Sequence, residues 1–118
     1  MPTNVNGQLS LLRVHDRGTK YGPANDQIDV EVVVQFADKP NDAYGFQLRS
    51  DADGPARRGM LDLLRDGFNN KWRVWIDYDA PAGHHNGVLM RVWLTRPPAR
   101  PGPVIGTAGT SGQVLANP

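Results

Sequence analysis

Two acidic residues, Asp77 and Asp79, stand two apart in a run that alternates like a β-strand, and His84 and His85 follow in the turn beyond it. Carboxylates and imidazoles are the ligand types that collect a divalent cation. The spacing works against a shared site. Adjacent residues on an extended chain point to opposite sides, so His84 and His85 diverge. We therefore expect a solvated strand end and a polar turn, and assign no metal. The same two carboxylates have the residue types for acid–base cleavage of a glycosidic bond. That chemistry needs a cleft and one raised pKa, and an exposed strand of a small domain offers neither. The run Gly106-Thr107-Ala108-Gly109-Thr110-Ser111-Gly112 spaces its glycines like a phosphate loop. It lacks the lysine, the preceding strand and the following helix that such a loop requires. Thr110-Ser111-Gly112 has no strand-to-helix elbow around it. The chain has no Cys, which excludes disulfides, thiolate catalysis and Cys-ligated zinc. No catalytic residue and no cofactor is assigned, and the chain is expected to be non-enzymatic.

Two tryptophans carry more information. Trp75 and Trp93 fall opposite the apolar stripe of the two strands that flank a turn near Gly83. A hairpin centred there sets them roughly across from each other. Arg73 and Arg91 flank them, and Leu89 is expected on the same outward face. Interface hot spots are enriched in Trp and Arg, and exposed Trp pairs are unusual on monomers. Trp75, Trp93, Arg73, Arg91 and Leu89 are therefore the candidate ligand or subunit interface. The competing reading is that the helix or the C-terminal segment covers the rings within one copy.

The elements that must position these residues fit one small domain. At 118 residues and a typical ~150 per domain, a multidomain enzyme is excluded. Thirteen basic residues against 12 acidic ones leave a net charge of +1. That balance argues against a nonspecific binder of nucleic acid or of an anionic membrane. No apolar run approaches the ~20 residues of a membrane span. Met1-Pro2-Thr3-Asn4 lacks the profile of a signal peptide, so a cytoplasmic location and secretion after processing both stay open. Composition changes near residue 96. Residues 97–118 are rich in Pro, Gly, Ala, Ser and Thr with one charge, Arg100. We expect a tail there, or a strap that orders only against a neighbour. Without Arg100 the domain 1–96 has 12 basic and 12 acidic residues.

Five strands and one helix are expected within residues 7–96. Gln8–His15 alternates as Leu9, Leu11 and then slips to Leu12, Val14, the sequence form of a β-bulge. Ile28, Val30, Val32, Val34 and Phe36 alternate with Asp29, Glu31, Val33 and Gln35, which predicts one buried and one wet face. Lys39–Asp42 reads as a turn and Tyr44–Arg49 as a third strand. Met60, Leu61, Leu63, Leu64 and Phe68 form one stripe of a helix over 56–68. Gly59 and Gly67 weaken that helix, so packing must hold it. Lys71–Asp79 and Val88–Thr95 complete the set. In the last strand Val88, Met90, Val92 and Leu94 are expected on the inner face.

This order, with its bulged first strand, resembles the OB-fold, a five-stranded Greek-key barrel with a helix between strands three and four. The expected fold class is thus all-β with one helix, an OB-like barrel. Met60-Leu61-Asp62-Leu63-Leu64 followed by Lys71-Trp72-Arg73-Val74-Trp75-Ile76-Asp77-Tyr78 is similar to the helix-then-strand passage in the B subunits of bacterial A/B toxins. That resemblance implies a module that assembles into a ring through strand edges and binds a glycan or a protein partner. OB-folds also bind single-stranded nucleic acid, through aromatic platforms and basic grooves. Asp29 and Glu31 are wrong for that groove. Lys20, Tyr21, Lys71, Arg73, Trp75 and Arg91 would supply only a small patch. The expected function is a homo-oligomeric binding module, with a nucleic-acid binder and a ligand-free structural subunit as alternatives.

Overall fold

The structure is a computed structural model and describes residues 2–96. The expected tail, 97–118, lies outside the described residues. Six strands and one helix follow in chain order: β1 (Thr3–Gly7), β2 (Leu9–Val14), β3 (Val32–Phe36), β4 (Lys39–Phe46), α1 (Gly54–Asn70), β5 (Arg73–Asp79) and β6 (Gly87–Thr95). The strands form a single sheet in the order β1-β5-β6-β4-β3-β2. Every neighbouring pair is antiparallel except β4 with β6, which is parallel. The architecture is an open mixed sheet with one helix, of the α/β type. It corrects the expectation of an all-β, closed, five-stranded OB-like barrel.

The reason lies where one bulged strand was expected. β2 falls within the expected Gln8–His15, but a further strand, β1, precedes it, separated by Gln8 alone, and the two go to opposite edges of the sheet. β1 pairs with β5 through Val5↔Ile76, whereas β2 pairs with β3 through Leu12↔Val34. β1 and β2 are continuations of each other and meet end to end, so no ladder joins the two edges. Gln8 holds both sides of this junction. Its carbonyl accepts the Ala37 N–H at 2.9 Å, and its side-chain amide donates to the Lys71 carbonyl at 2.8 Å. Gly7 makes the bend with φ 155°, and a Cβ there would stand 3.3 Å from Phe36 Cδ1. A register slip is present in β2, but between Leu9 and Leu11 and not, as expected, between Leu11 and Leu12.

Two apolar clusters sandwich β3. Val32, Val34 and Phe36 join Val5, Tyr44, Phe46, Leu64, Val74, Ile76, Leu89 and Val92. Val33 points the other way, into Ile28, Val30 and Ala43. The wet face expected for Glu31 and Val33 is therefore corrected, for both are buried. Glu31 tolerates burial because it is bonded on every side that matters. Its Oε1 accepts the Leu48 N–H at 2.8 Å, and its Oε2 meets Arg49 Nη2 at 3.0 Å. The β3–β4 turn falls at Ala37–Asp38, which puts Lys39–Asp42 in the strand instead of a turn.

The helix begins with Pro55 in its first turn, where the missing N–H costs nothing. It ends as Lys71 turns left-handed at φ 57° and the Trp72 N–H bonds the Gly67 carbonyl at 3.1 Å. Leu64 and Gly67 form its buried line. Leu63 and Phe68, expected inside, lie on the flanks of that line and are each 38% exposed. Gly67 sets this orientation. A Cβ there would stand 2.6 Å from Val74 Cγ2 and 2.9 Å from Leu94 Cδ2, so only the bare backbone can come this close to β5 and β6. No described helix is long and apolar enough to cross a membrane.

Candidate functional site

The contact at Gly67 also decides what the helix leaves uncovered. Val74 and Leu94 share the core face of β5 and β6, so α1 packs there. Trp75 and Trp93 alternate with them and stand on the other face. The reading in which the helix covers the rings is thereby corrected. The two tryptophans are register partners, and Asn6 of β1 pairs with Trp75 on its far side. Their rings are stacked, with centroids 5.9 Å apart and planes within 10° of parallel. Trp75 Nε1 donates to Thr95 Oγ1 at 2.8 Å, which satisfies the indole and fixes its orientation.

A polar frame surrounds the pair, and it is already self-satisfied. Arg73 Nη1 donates to Asn6 Oδ1. Arg91 Nη1 meets Asp77 Oδ2 at 3.2 Å. Asn4 Nδ2 donates to the Ile76 carbonyl and to Asp77 Oδ1, both at 3.1 Å. Trp75, Trp93, Arg73 and Arg91 are thus brought together on one three-stranded face. Leu89 is not. The β5–β6 ladder slips by one residue between Asp77 and Tyr78, and the slip turns Leu89 into the core at 2% exposure. A one-residue slip exchanges the faces of every residue beyond it. Val88 and Met90 take the outward positions, 46% and 51% exposed.

Sequence reasoning placed Thr95 on this face with Trp93 and missed Asn4, Asn6, Val88 and Met90. The period-two alternation of Asn4 and Asn6 about Val5 was the one available signal for β1. The three successive apolar residues Val88-Leu89-Met90 left the face of that stretch ambiguous.

The other candidate groups are dispersed. Asp77 is taken by Arg91 and Asn4, while the two histidines face different carboxylates. His84 Nδ1 stands 3.2 Å from Asp26 Oδ1, and His85 Nδ1 stands 2.9 Å from Asp42 Oδ1. Among the described residues, no group of three or more His, Cys, Asp or Glu is placed to hold a metal ion. Asp26 instead ties its loop to the β5–β6 turn. Its carboxylate accepts the N–H of His85 at 2.8 Å and of Asn86 at 3.1 Å. The His85 N–H, above all, holds the Asp26 carboxyl below its ordinary pKa. Asn86 completes the tie by accepting the Ala43 N–H at 3.0 Å.

The basic-aromatic patch is split as well. Tyr21 bridges to Ile28 and lies under Arg13, on the β2–β3 side, whereas Arg73, Trp75 and Arg91 belong to β5 and β6. The face that remains is a stacked aromatic pair in a polar frame of two guanidinium groups, one carboxylate and two amides. It can stack a ring or an apolar segment. Comparison with protein-family models, curated proteins and solved structures found no match for this chain.

Proposed function

We propose that this chain is a non-enzymatic assembly module that self-associates through the outward face of β1, β5 and β6. The observation that carries this reading is the near-parallel Trp75/Trp93 pair on a face the helix does not cover. Each tryptophan brings ~150–250 Å² of surface, and a well-packed aromatic anchor contributes ~2 kcal/mol or more at an interface. The frame lowers the cost of docking. Arg91 and Asp77 are paired and Asn4 is bonded within the chain, so only Arg73, held by the uncharged amide of Asn6, brings a charge without a charged partner. Residues 1–96 are formally neutral, which keeps repulsion between copies small.

Sedimentation of the full chain tests this. The wild type should run as a multiple of 13.0 kDa. Trp75→Ala and Trp93→Arg should each give a smaller species with unchanged strand and helix signals in circular dichroism. Wild-type mass in both variants would show that another surface assembles the protein, and unfolding of both would place the rings in the core.

A further inference from the structure

We infer that the occupant of the Trp75/Trp93 face is the proline-rich segment Pro97–Pro103 of a second copy of this chain, an assignment that rests on the self-association reading. Area is the first reason. Three strands ~4.8 Å apart and about seven residues of ~3.3 Å long give a footprint on the order of 300 Å². A stable interface covers roughly 800 Å² on each partner. The face alone is too small, so a further piece of chain must contribute.

Position is the second reason. Thr95 ends β6 and receives the Trp75 indole N–H, and the Arg96 guanidinium lies 5.5 Å over the Trp72 ring. Residue 97 thus follows closely on a strand end whose Thr95 bonds a ring of the aromatic pair. Chemistry is the third. Pro97, Pro98, Pro101 and Pro103 fall within seven residues. Proline-rich segments dock on exposed aromatic rings with little loss of entropy, because each ring fixes its own φ. Arg100 is the segment's one charge, and exposed Asp79 offers it a carboxylate, since Asp77 is taken by Arg91 and Asn4.

The same prolines decide between a segment's own copy and its neighbour. A residue that precedes proline is held extended. Arg96, Pro97, Arg100 and Gly102 all do so. The sequence thus favours continuation along the direction of β6 over a reversal onto its own tryptophans. Seven residues at ~3.1 Å each reach ~22 Å, enough to cross three strands of a neighbour. Each copy then gives a segment and receives one, which closes as a reciprocal pair or as a ring.

The test uses the full chain carrying Pro98→Ser, Pro101→Ser and Pro103→Ser together, all outside the described residues. Its mass should fall to 13.0 kDa, with tryptophan emission moved to longer wavelength. A synthetic peptide of residues 96–105 should reverse that emission shift saturably. The same peptide with Arg100→Asp should bind about threefold more weakly, the effect of one exposed ion pair. If the triple variant keeps its assembly while Trp75→Ala loses it, the segment is not the occupant and self-association through the face stands. A wild type that sediments as a single copy overturns both readings.

Discussion

Alanine at Gly59 and at Gly67 should move stability in opposite directions, although both glycines lie within the 17 residues of α1. Glycine in a helix interior is about 1 kcal/mol less favourable than alanine. Gly59 is exposed, and a Cβ there would meet nothing within 4 Å. Gly59→Ala should therefore stabilise by roughly 0.5–1 kcal/mol. At Gly67 the new Cβ would stand 2.6 Å from Val74 and 2.9 Å from Leu94. To reach 3.4 Å, ordinary van der Waals contact, those atoms must retreat by 0.8 Å and 0.5 Å. Leu94 can rotate. Val74 is fully buried, stiff at χ1, and paired to both β1 and β6, so it cannot retreat alone. Such overpacking costs ~1–3 kcal/mol, which outweighs the propensity gain. Urea midpoints at unchanged slope should separate the two variants by about 1–3 kcal/mol, and melting temperatures by ~4–8 °C for each kcal/mol. If Gly67→Ala is as stable as Gly59→Ala, the helix does not rest on Val74 and Leu94. The hairpin that carries Trp75 and Trp93 would then lack its brace.

Neighbouring residues of β6 should also respond unequally. Leu89→Ala should cost ~2–5 kcal/mol, whereas Met90→Ala should stay within ~0.5 kcal/mol; similar thermal melts for the two would place the β5–β6 slip elsewhere. Asp26 supplies a pH test. Its folded pKa is depressed, chiefly by the His85 N–H, so its contribution is full above the unfolded pKa and disappears as pH falls through the folded one. The melting difference between wild type and Asp26→Asn should accordingly shrink as the solution is taken from neutral through the acid carboxylate range. A difference that stays constant would show that the charge does not hold this loop.

What the sequence disclosed is what local alternation determines. Val32, Val34, Phe36, Phe46, Leu64, Val74, Ile76 and Val92 read as core and are buried; Ile28 and Val30 are buried too, but with Val33, on the side opposite the one expected. Leu48 and Leu61, also read as core, are partly buried. Period two in β-branched residues and a helical stripe need no partner to be recognised. β1 had only the brief alternation of Asn4 and Asn6 about Val5, with no apolar stripe. Thr3-Asn4-Val5-Asn6-Gly7 holds one apolar residue beside its glycine, and its order comes from β5, 67–75 positions away. The second buried face of β3 was hidden for a related reason. Val33 looked solvated until Ile28, Val30 and Ala43 closed over it, and Glu31 looked solvated until Arg49 reached it.

The site was half legible because a single slip divides β6. From Thr95 back to Arg91, the pairs Arg73↔Thr95, Trp75↔Trp93 and Asp77↔Arg91 keep one register, and Tyr78↔Leu89 breaks it. A straight hairpin places everything before the break correctly. Trp75, Trp93, Arg73 and Arg91 fall there, and they stand together. Every residue between the break and the turn changes face, which is why Leu89 went inward while Val88 and Met90 came out. Tyr78 accounts for the choice. Its ring lies 4.5 Å from that of Tyr44, centroid to centroid, on the core side. A bulge that keeps Tyr78 inside must bring its partner, Leu89, inside with it. Burying Leu89 and releasing the unbranched Met90 lengthens the apolar rim beside the tryptophans, so the packing that defeated the sequence reading also widened the surface a second copy would meet.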